Sequence, residues 1–232
     1  PKRWLDEYPE EYQDYILKKN SKMAGKIYPF LDLPGVGVAF KLVQALQTKL
    51  DGLEDGYEKW LLDLVALGTV CDVVNLTNEN RTNVFWGLKV LAKAHRPGLK
   101  ALLAVAGVTT DKINTRTLGF VLGPRMNAAG RLETAQYSLD LLTTNDSLQA
   151  LELAQNLDVF NTTRKKEQEK IFNEAILQAE HFKTDKVLVV SKEGWSHGII
   201  GIVAAKLLEK YAKPTFVLEE MGDESKGSAR SY

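Results

Sequence analysis

The stretch that decides the fold runs from Lys186 to Glu219, Lys-Val-Leu-Val-Val-Ser at 186–191, Glu-Gly-Trp-Ser-His-Gly at 193–198, Ile199 to Lys210, then Pro214 to Glu219. A short β-branched run, a Gly-bearing turn, an apolar helical stretch and a second β-branched run make a βαβ unit. Strands are expected at Lys186–Ser191 and Pro214–Glu219, with the helix Ile199–Lys210 between them. Met221–Ser225 turns the chain and Lys226–Tyr232 begins a third strand. The fold class is therefore α/β.

Upstream, Asn145-Asp146-Ser147 is a helix start signal, and no Gly or Pro follows until Gly194. One helix is expected over Ser147–His181. Its apolar residues gather at the ends (Leu148, Leu151, Leu157 and Phe160, then Ile171, Phe172 and Ile176), while Asn161–Lys170 is polar. That pattern suits a connector crossing solvent between two domains; two helices with an unmarked break are the alternative. Before it, helices are expected from Gly35 to about Leu50, over Tyr57–Leu67 ending at Gly68, over Asn80–Ala94, over Gly98–Val105 and over Leu132–Leu142. The polar residues 1–28 hold at most a short helix around Glu10–Lys19.

Composition excludes several classes. The chain has 232 residues, with 30 Lys+Arg against 30 Asp+Glu. Bulk charge gives no argument for nucleic acid, so any such site must come from a local basic cluster. A single cysteine, Cys71, excludes an internal disulfide and fits a reducing compartment such as the cytoplasm. No apolar run approaches the roughly 18 residues of a membrane span. Pro1-Lys2-Arg3-Trp4 has no initiator Met, and Gly227–Tyr232 stops in an expected strand, so both ends read as internal to a longer polypeptide.

Candidate chemistry sits in several places. Ser196, His197 and Gly198 join a strand end to a helix N-terminus, where free N–H groups and the helix dipole suit an anion; a tight turn with a surface His is the plain alternative. In Lys226-Gly227-Ser228-Ala229-Arg230-Ser231, strand alternation puts Lys226, Ser228 and Arg230 on one face, which suits a phosphodiester or else a charged edge strand. In Gly123–Arg131, Arg125, Asn127 and Arg131 lie among small residues, and Arg suits bidentate phosphate binding; solvated Arg at a helix cap is the alternative. Asp72 ends an apolar run as a helix cap or a metal ligand, and on the residues alone the cap is the plainer reading. Gly35-Val36-Gly37-Val38 weakly suggests a phosphate loop, but lacks a preceding strand and a following Lys-Ser/Thr. His95, His181 and His197 are scattered, with no metal-ligand spacing.

Taken in order, these segments resemble the DHH/DHHA1 phosphoesterase superfamily, and its RecJ-like branch in particular. The similar blocks are Leu33–Leu42 (LPGVGVAFKL), Ala66–Val74 (ALGTVCDVV) with Glu79-Asn80-Arg81, Arg96–Leu99 (RPGL), Gly123–Leu132 (GPRMNAAGRL), Trp195–Leu207 and Gly227–Ser231 (GSARS). The likeness runs from about residue 26 to the end. It implies the C-terminal, mostly helical part of a DHH domain (1–145), a connector helix (146–182) and a DHHA1 domain (183–232). It implies a single-stranded-DNA-specific 5′-to-3′ exonuclease of DNA recombination and repair, hydrolysing phosphodiesters with Mn²⁺ or Mg²⁺. Asp72 would then be a metal ligand in the catalytic centre. Arg125, with a catalytic role, and Asn127 and Arg131 would contact DNA near the scissile phosphate. Ser196, His197, Gly198, Ser228 and Arg230 would hold the nucleotide backbone. Single-stranded DNA and repair or recombination proteins are the partners implied, with no membrane.

The sequence departs from the family pattern at Trp195-Ser196-His197-Gly198, where Trp-His-Pro-Gly is common, and at Asn75, where many relatives carry Pro. The Asp-rich motifs and the Asp-His-His triplet are absent, so the stretch alone is expected to be inactive. Two rivals stand beside this reading. One is a DHH phosphodiesterase for oligonucleotides or cyclic dinucleotides, although Gly227–Ser231 replaces its Gly-Gly-Gly-His type block. The other is a non-catalytic module that grips single-stranded DNA.

Overall fold

The computed structural model describes residues 30–52 and 54–232, so the short helix expected around Glu10–Lys19 lies outside the described residues. The chain divides into two compact units, Pro1–Val90 and Leu91–Tyr232.

In the first unit, α1 (Gly35–Gln47) is followed by a 3₁₀ turn (Tyr57–Leu61), α2 (Leu62–Cys71) and α3 (Asn78–Ala92). Glycines let these helices touch. A Cβ on Gly68 would come within 2.8 Å of Val36 Cγ1, and one on Gly87 within 2.2 Å of the Leu62 carbonyl. The expectation that Gly68 ends its helix is corrected: α2 runs through it to Cys71, because the missing side chain serves packing against α1. Gly35 likewise is the first residue of α1, and Val36 docks the helix onto α2. Asn80 is fully buried, and its amide donates to the carbonyls of Asp32 (2.8 Å) and Asn75 (3.1 Å).

The second unit is built around one helix. α4 (Pro97–Val105), a π-helical turn (Thr117–Leu122), α5 (Gly123–Leu132) and α6 (Gln136–Thr143) lead into α7 (Ser147–His181). The Gly/Ala-rich segment expected to precede a helix is itself helical, and the helix expected over Leu132–Leu142 breaks at Glu133. Small residues such as the buried Ala128 and Ala129 allow α5 to lie close along α7. Asp146 caps α7 by accepting from the N–H groups of Leu148 (2.7 Å) and Gln149 (3.3 Å).

The single helix was legible, and most of its polar waist is exposed, including Thr162, Thr163, Lys165, Lys166, Glu169 and Lys170, but two of its residues are covered. Asn161 is only 2% exposed and Gln168 9%, because α4, α5, α6, α8 and β1 pack along α7. Asn161, Arg164 and Gln168 sit at i, i+3 and i+7 and form a polar stripe on one helix face. The Arg164 guanidinium donates to Gln168 Oε1 (2.9 Å) and Asn161 Oδ1 (3.0 Å), which satisfies the two amide oxygens of the stripe.

The chain ends in β1 (Leu188–Glu193), α8 (His197–Tyr211), β2 (Thr215–Met221) and β3 (Glu224–Arg230). The sheet order is β1-β2-β3, with β1 parallel to β2 and β2 antiparallel to β3. α8 is the crossover and packs on the sheet and on α7. Ile171, Ala175 and Ala179 of α7 meet Leu188, Val190, Ile199, Val203 and Val217 in one apolar core. Trp195, 2% exposed, closes that core at the mouth of α8, and its Nε1–H donates to Glu174 Oε2 at 2.8 Å. No helix among the described residues is long and apolar enough to cross a membrane.

Candidate nucleic-acid interface

Strand register builds one wall of the site. Thr215 and Val217 on β2 are buried and Glu219 is half-buried, so this alternating set faces α8. Their partners on β3 are Arg230, Ser228 and Lys226 in turn. Ser228 and Arg230 therefore rise beside α8, as strand alternation suggested.

Two glycines of α8 bring the opposite wall in. A Cβ on Gly198 would lie 2.3 Å from the Arg131 carbonyl, so only glycine lets the start of α8 meet the end of α5. A Cβ on Gly201 would meet Ser228 Oγ at 3.1 Å and Arg230 Nη2 at 3.2 Å, which is the space those polar tips occupy. Arg131 crosses the junction and donates from Nη1 to the Gly198 carbonyl at 2.8 Å.

The result is an open groove of about 390 Å³ lined by Arg131, His197, Gly198, Gly201, Ser228 and Arg230. Five residues named from the sequence (Arg131, His197, Gly198, Ser228 and Arg230) meet here, although Arg131 and Arg230 stand far apart along the chain. The groove offers two guanidinium groups, a hydroxyl, an imidazole and the N-terminal N–H groups of a 15-residue helix. Such donors suit an oxyanion, above all a phosphodiester.

Glu219 is a member that sequence reading missed. Its Oε2 lies 3.2 Å from His197 Nδ1. The two groups stand within ion-pairing distance, so a protonated imidazole here would be drawn to the carboxylate. The available signal was its position on the buried phase of β2, where an acid needs a partner.

Other candidates lie elsewhere. Ser196 is the N-cap residue of α8, makes no side-chain cap bond, and lines a separate cavity of about 150 Å³ with Lys192 and Trp195. Arg125 is turned inward: its Nε donates to Asp158 Oδ1 (2.8 Å) and its Nη1 to the Val121 carbonyl (2.9 Å). It stands outside the groove, and its partner Asp158 was not singled out from the sequence. Asn127 is exposed on α5 one turn before Arg131, on the same helix face.

Asp72 belongs to the first unit. It is exposed at the C-cap of α2, where its own N–H bonds back to Gly68 and Val70 carbonyls. A carboxylate at that end of a helix stabilises nothing through the dipole. Burial, and after it the negative charge of Asp72, push the neighbouring Cys71 thiol up. Among the described residues no three His, Cys, Asp or Glu side chains come together as a metal site.

No family model matches the chain. Among curated proteins it is 45% identical over 214 residues to the single-stranded-DNA-specific exonuclease RecJ of Bacillus subtilis, covering 90% of this chain and 26% of the relative. It is 39% identical over 219 residues to RecJ of Escherichia coli, covering 88% and 38%. Among solved structures, RecJ of Thermus thermophilus in complex with Mn²⁺ matches with a TM-score of 0.76 at 33% identity, over 86% of this chain and 29% of that one. The chain thus spans between 26% and 40% of the length of the curated relatives it matches.

Proposed function

We propose, from the premise that this chain corresponds to a stretch of the RecJ single-stranded-DNA-specific exonucleases, that it supplies the strand-gripping part of such an enzyme. The observation that carries the reading is the groove in which Arg131, His197, Ser228 and Arg230 converge. In the whole protein the reaction is 5′-to-3′ hydrolysis of phosphodiesters in single-stranded DNA, in DNA recombination and repair, in the cytoplasm and beside other repair proteins. Within this reading residues 1–145 are DHH-type, 146–182 the connector and 183–232 the DHHA1 domain.

Each groove residue has a part. Arg131 and Arg230 neutralise phosphate charge, and Arg supplies paired donors that can engage two phosphate oxygens at once. Ser228 and the N–H groups at the start of α8 add neutral donors that fix the backbone without reading bases. His197, within ion-pairing distance of Glu219, adds a ring nitrogen. None of these groups is base-specific, which fits an enzyme indifferent to sequence.

The metal is Mn²⁺ or Mg²⁺, with Asp72 as one ligand. A hard divalent ion takes about six oxygen ligands, and the described residues bring no such cluster together. They do not hold the ion by themselves, so this stretch's own share of the work is binding and orienting the strand. The isolated stretch is accordingly expected to bind DNA without cutting it.

The test uses the full polypeptide carrying this stretch and a labelled single-stranded oligonucleotide. Arg230→Gln should weaken strand binding in EDTA. Asp72→Asn should abolish Mn²⁺-dependent nucleotide release while leaving that binding intact. Release undiminished in Asp72→Asn would remove Asp72 from the metal centre, and unchanged binding in Arg230→Gln would remove the groove from the DNA path.

A further inference from the structure

A second cationic groove lies next to the first. It measures about 550 Å³ and is lined by Arg164, Lys165, Gln168, Phe172 and Asn173 of α7 and by Lys206 of α8, with Glu169 as its one acid. Lys206 follows Ile202, which lines the Arg131 groove, by four residues on α8. That spacing puts the two side chains on one helix face about one turn apart. The second groove therefore continues the first along α8.

Its chemistry is unusual for a structural feature. Arg164 is held in place by two neutral amides, Asn161 and Gln168, both buried. Its Nε is buried without an acceptor, and among the described residues no carboxylate pairs with its guanidinium. Burial, and then the like charge of Arg131, push Arg164 below the ordinary guanidinium range. A partly buried cation fixed by neutral groups, facing another cation, is a poor stabiliser of the fold alone. It is a good receptor for an incoming anion, whose arrival relieves the repulsion. Lys206 adds a second charge at the rim, its Nζ 5.2 Å from the Phe172 ring centroid.

We propose that Arg164 and Lys206 form a second phosphate subsite, which takes the next backbone phosphates of a single strand seated on Arg131 and Arg230. This rests on the DNA reading of the first groove and extends it. The ligand is the phosphodiester of the same strand, not a free phosphate.

The experiment measures fluorescence anisotropy in EDTA with a dinucleotide and a decanucleotide, over a salt series, on the full polypeptide carrying this stretch. Lys206 is exposed, so Lys206→Gln leaves the fold intact; Arg164→Gln is the second variant, with its melting temperature as a control. Each should weaken decanucleotide binding by about tenfold and make the log–log salt slope shallower by about 0.7. Dinucleotide binding should not change. If Lys206→Gln binds the decanucleotide as the parent does, with the same slope, while Arg230→Gln loses it, the second subsite is wrong and the first groove stands. Equal loss of both ligands in Lys206→Gln also overturns it, because the residue then serves the first groove. If Arg230→Gln too binds both ligands like the parent, the first groove falls and takes this proposal with it.

Discussion

Arg131 donates a 2.8 Å hydrogen bond from Nη1 to the backbone carbonyl of Gly198, tying the end of α5 to the first turn of α8. The same two residues meet a second time, because a Cβ on Gly198 would fall 2.3 Å from the Arg131 carbonyl. The side chain of one and the absent side chain of the other thus set the width of the groove.

Gly198→Ala should force α5 and α8 apart. Overpacking of this kind costs about 1–3 kcal/mol, and here it also opens the groove. Chemical denaturation should show a lower midpoint, and single-stranded DNA should bind more weakly in EDTA. An unchanged midpoint together with unchanged binding would mean that the two helices do not need this approach.

The Glu219–His197 pair should behave as a unit in binding. Glu219→Gln frees the imidazole and should weaken single-strand binding several-fold, as should His197→Ala. The double variant should be little worse than either single one, since interacting residues are non-additive. Fully additive losses would show that Glu219 does not orient the ring.

Arg125 and Asp158 tie α5 to α7 at 2.8 Å, with side chains 16% and 36% exposed. Because the pair is only partly shielded, its coupling is expected at about 1 kcal/mol, the upper part of the range for accessible pairs. A cycle of Arg125→Met, Asp158→Asn and the double variant, read by denaturant midpoint, measures it. A coupling near zero together with lost strand binding in Arg125→Met would instead assign Arg125 to DNA.

Tyr211 donates to Glu180 Oε1 at 2.7 Å. Burial, and then this carboxylate, push its phenol up to about 12 from an ordinary value of 10.0. The folded state therefore holds a proton that the unfolded state releases between these values. The stability this group contributes is fully present below pH about 10 and is lost as pH rises through about 12. The absorbance titration of Tyr211→Phe, subtracted from that of the parent, should show one phenol ionising late. A missing phenol that titrates near pH 10 would contradict the assignment.

Much of this was readable because it is local. The long α7 follows from Asp146 as a cap and the lack of Gly or Pro thereafter, both near-neighbour effects. The βαβ order follows from short runs of Val, Leu and Ile between turn residues. The shared face of Ser228 and Arg230 follows from strand alternation, which needs no partner strand to be known.

The sequence alone therefore determined most of the elements, their order and the residue types able to grip a phosphate, but not the helix over Gly123–Leu132. Only the tertiary structure decided which of them meet. Arg131 joins Arg230 because Gly198 and Gly201 admit backbone and side chains at distances where no Cβ fits. Arg125 leaves that company because Asp158 of α7, a residue that nothing in its own neighbourhood marks out, takes its guanidinium. The buried Asn161 and Gln168 read as part of a solvent-facing waist, since composition counts polar atoms but not what covers them. Contact between residues distant in the chain depends on helix packing and strand register, and no window of sequence contains that information.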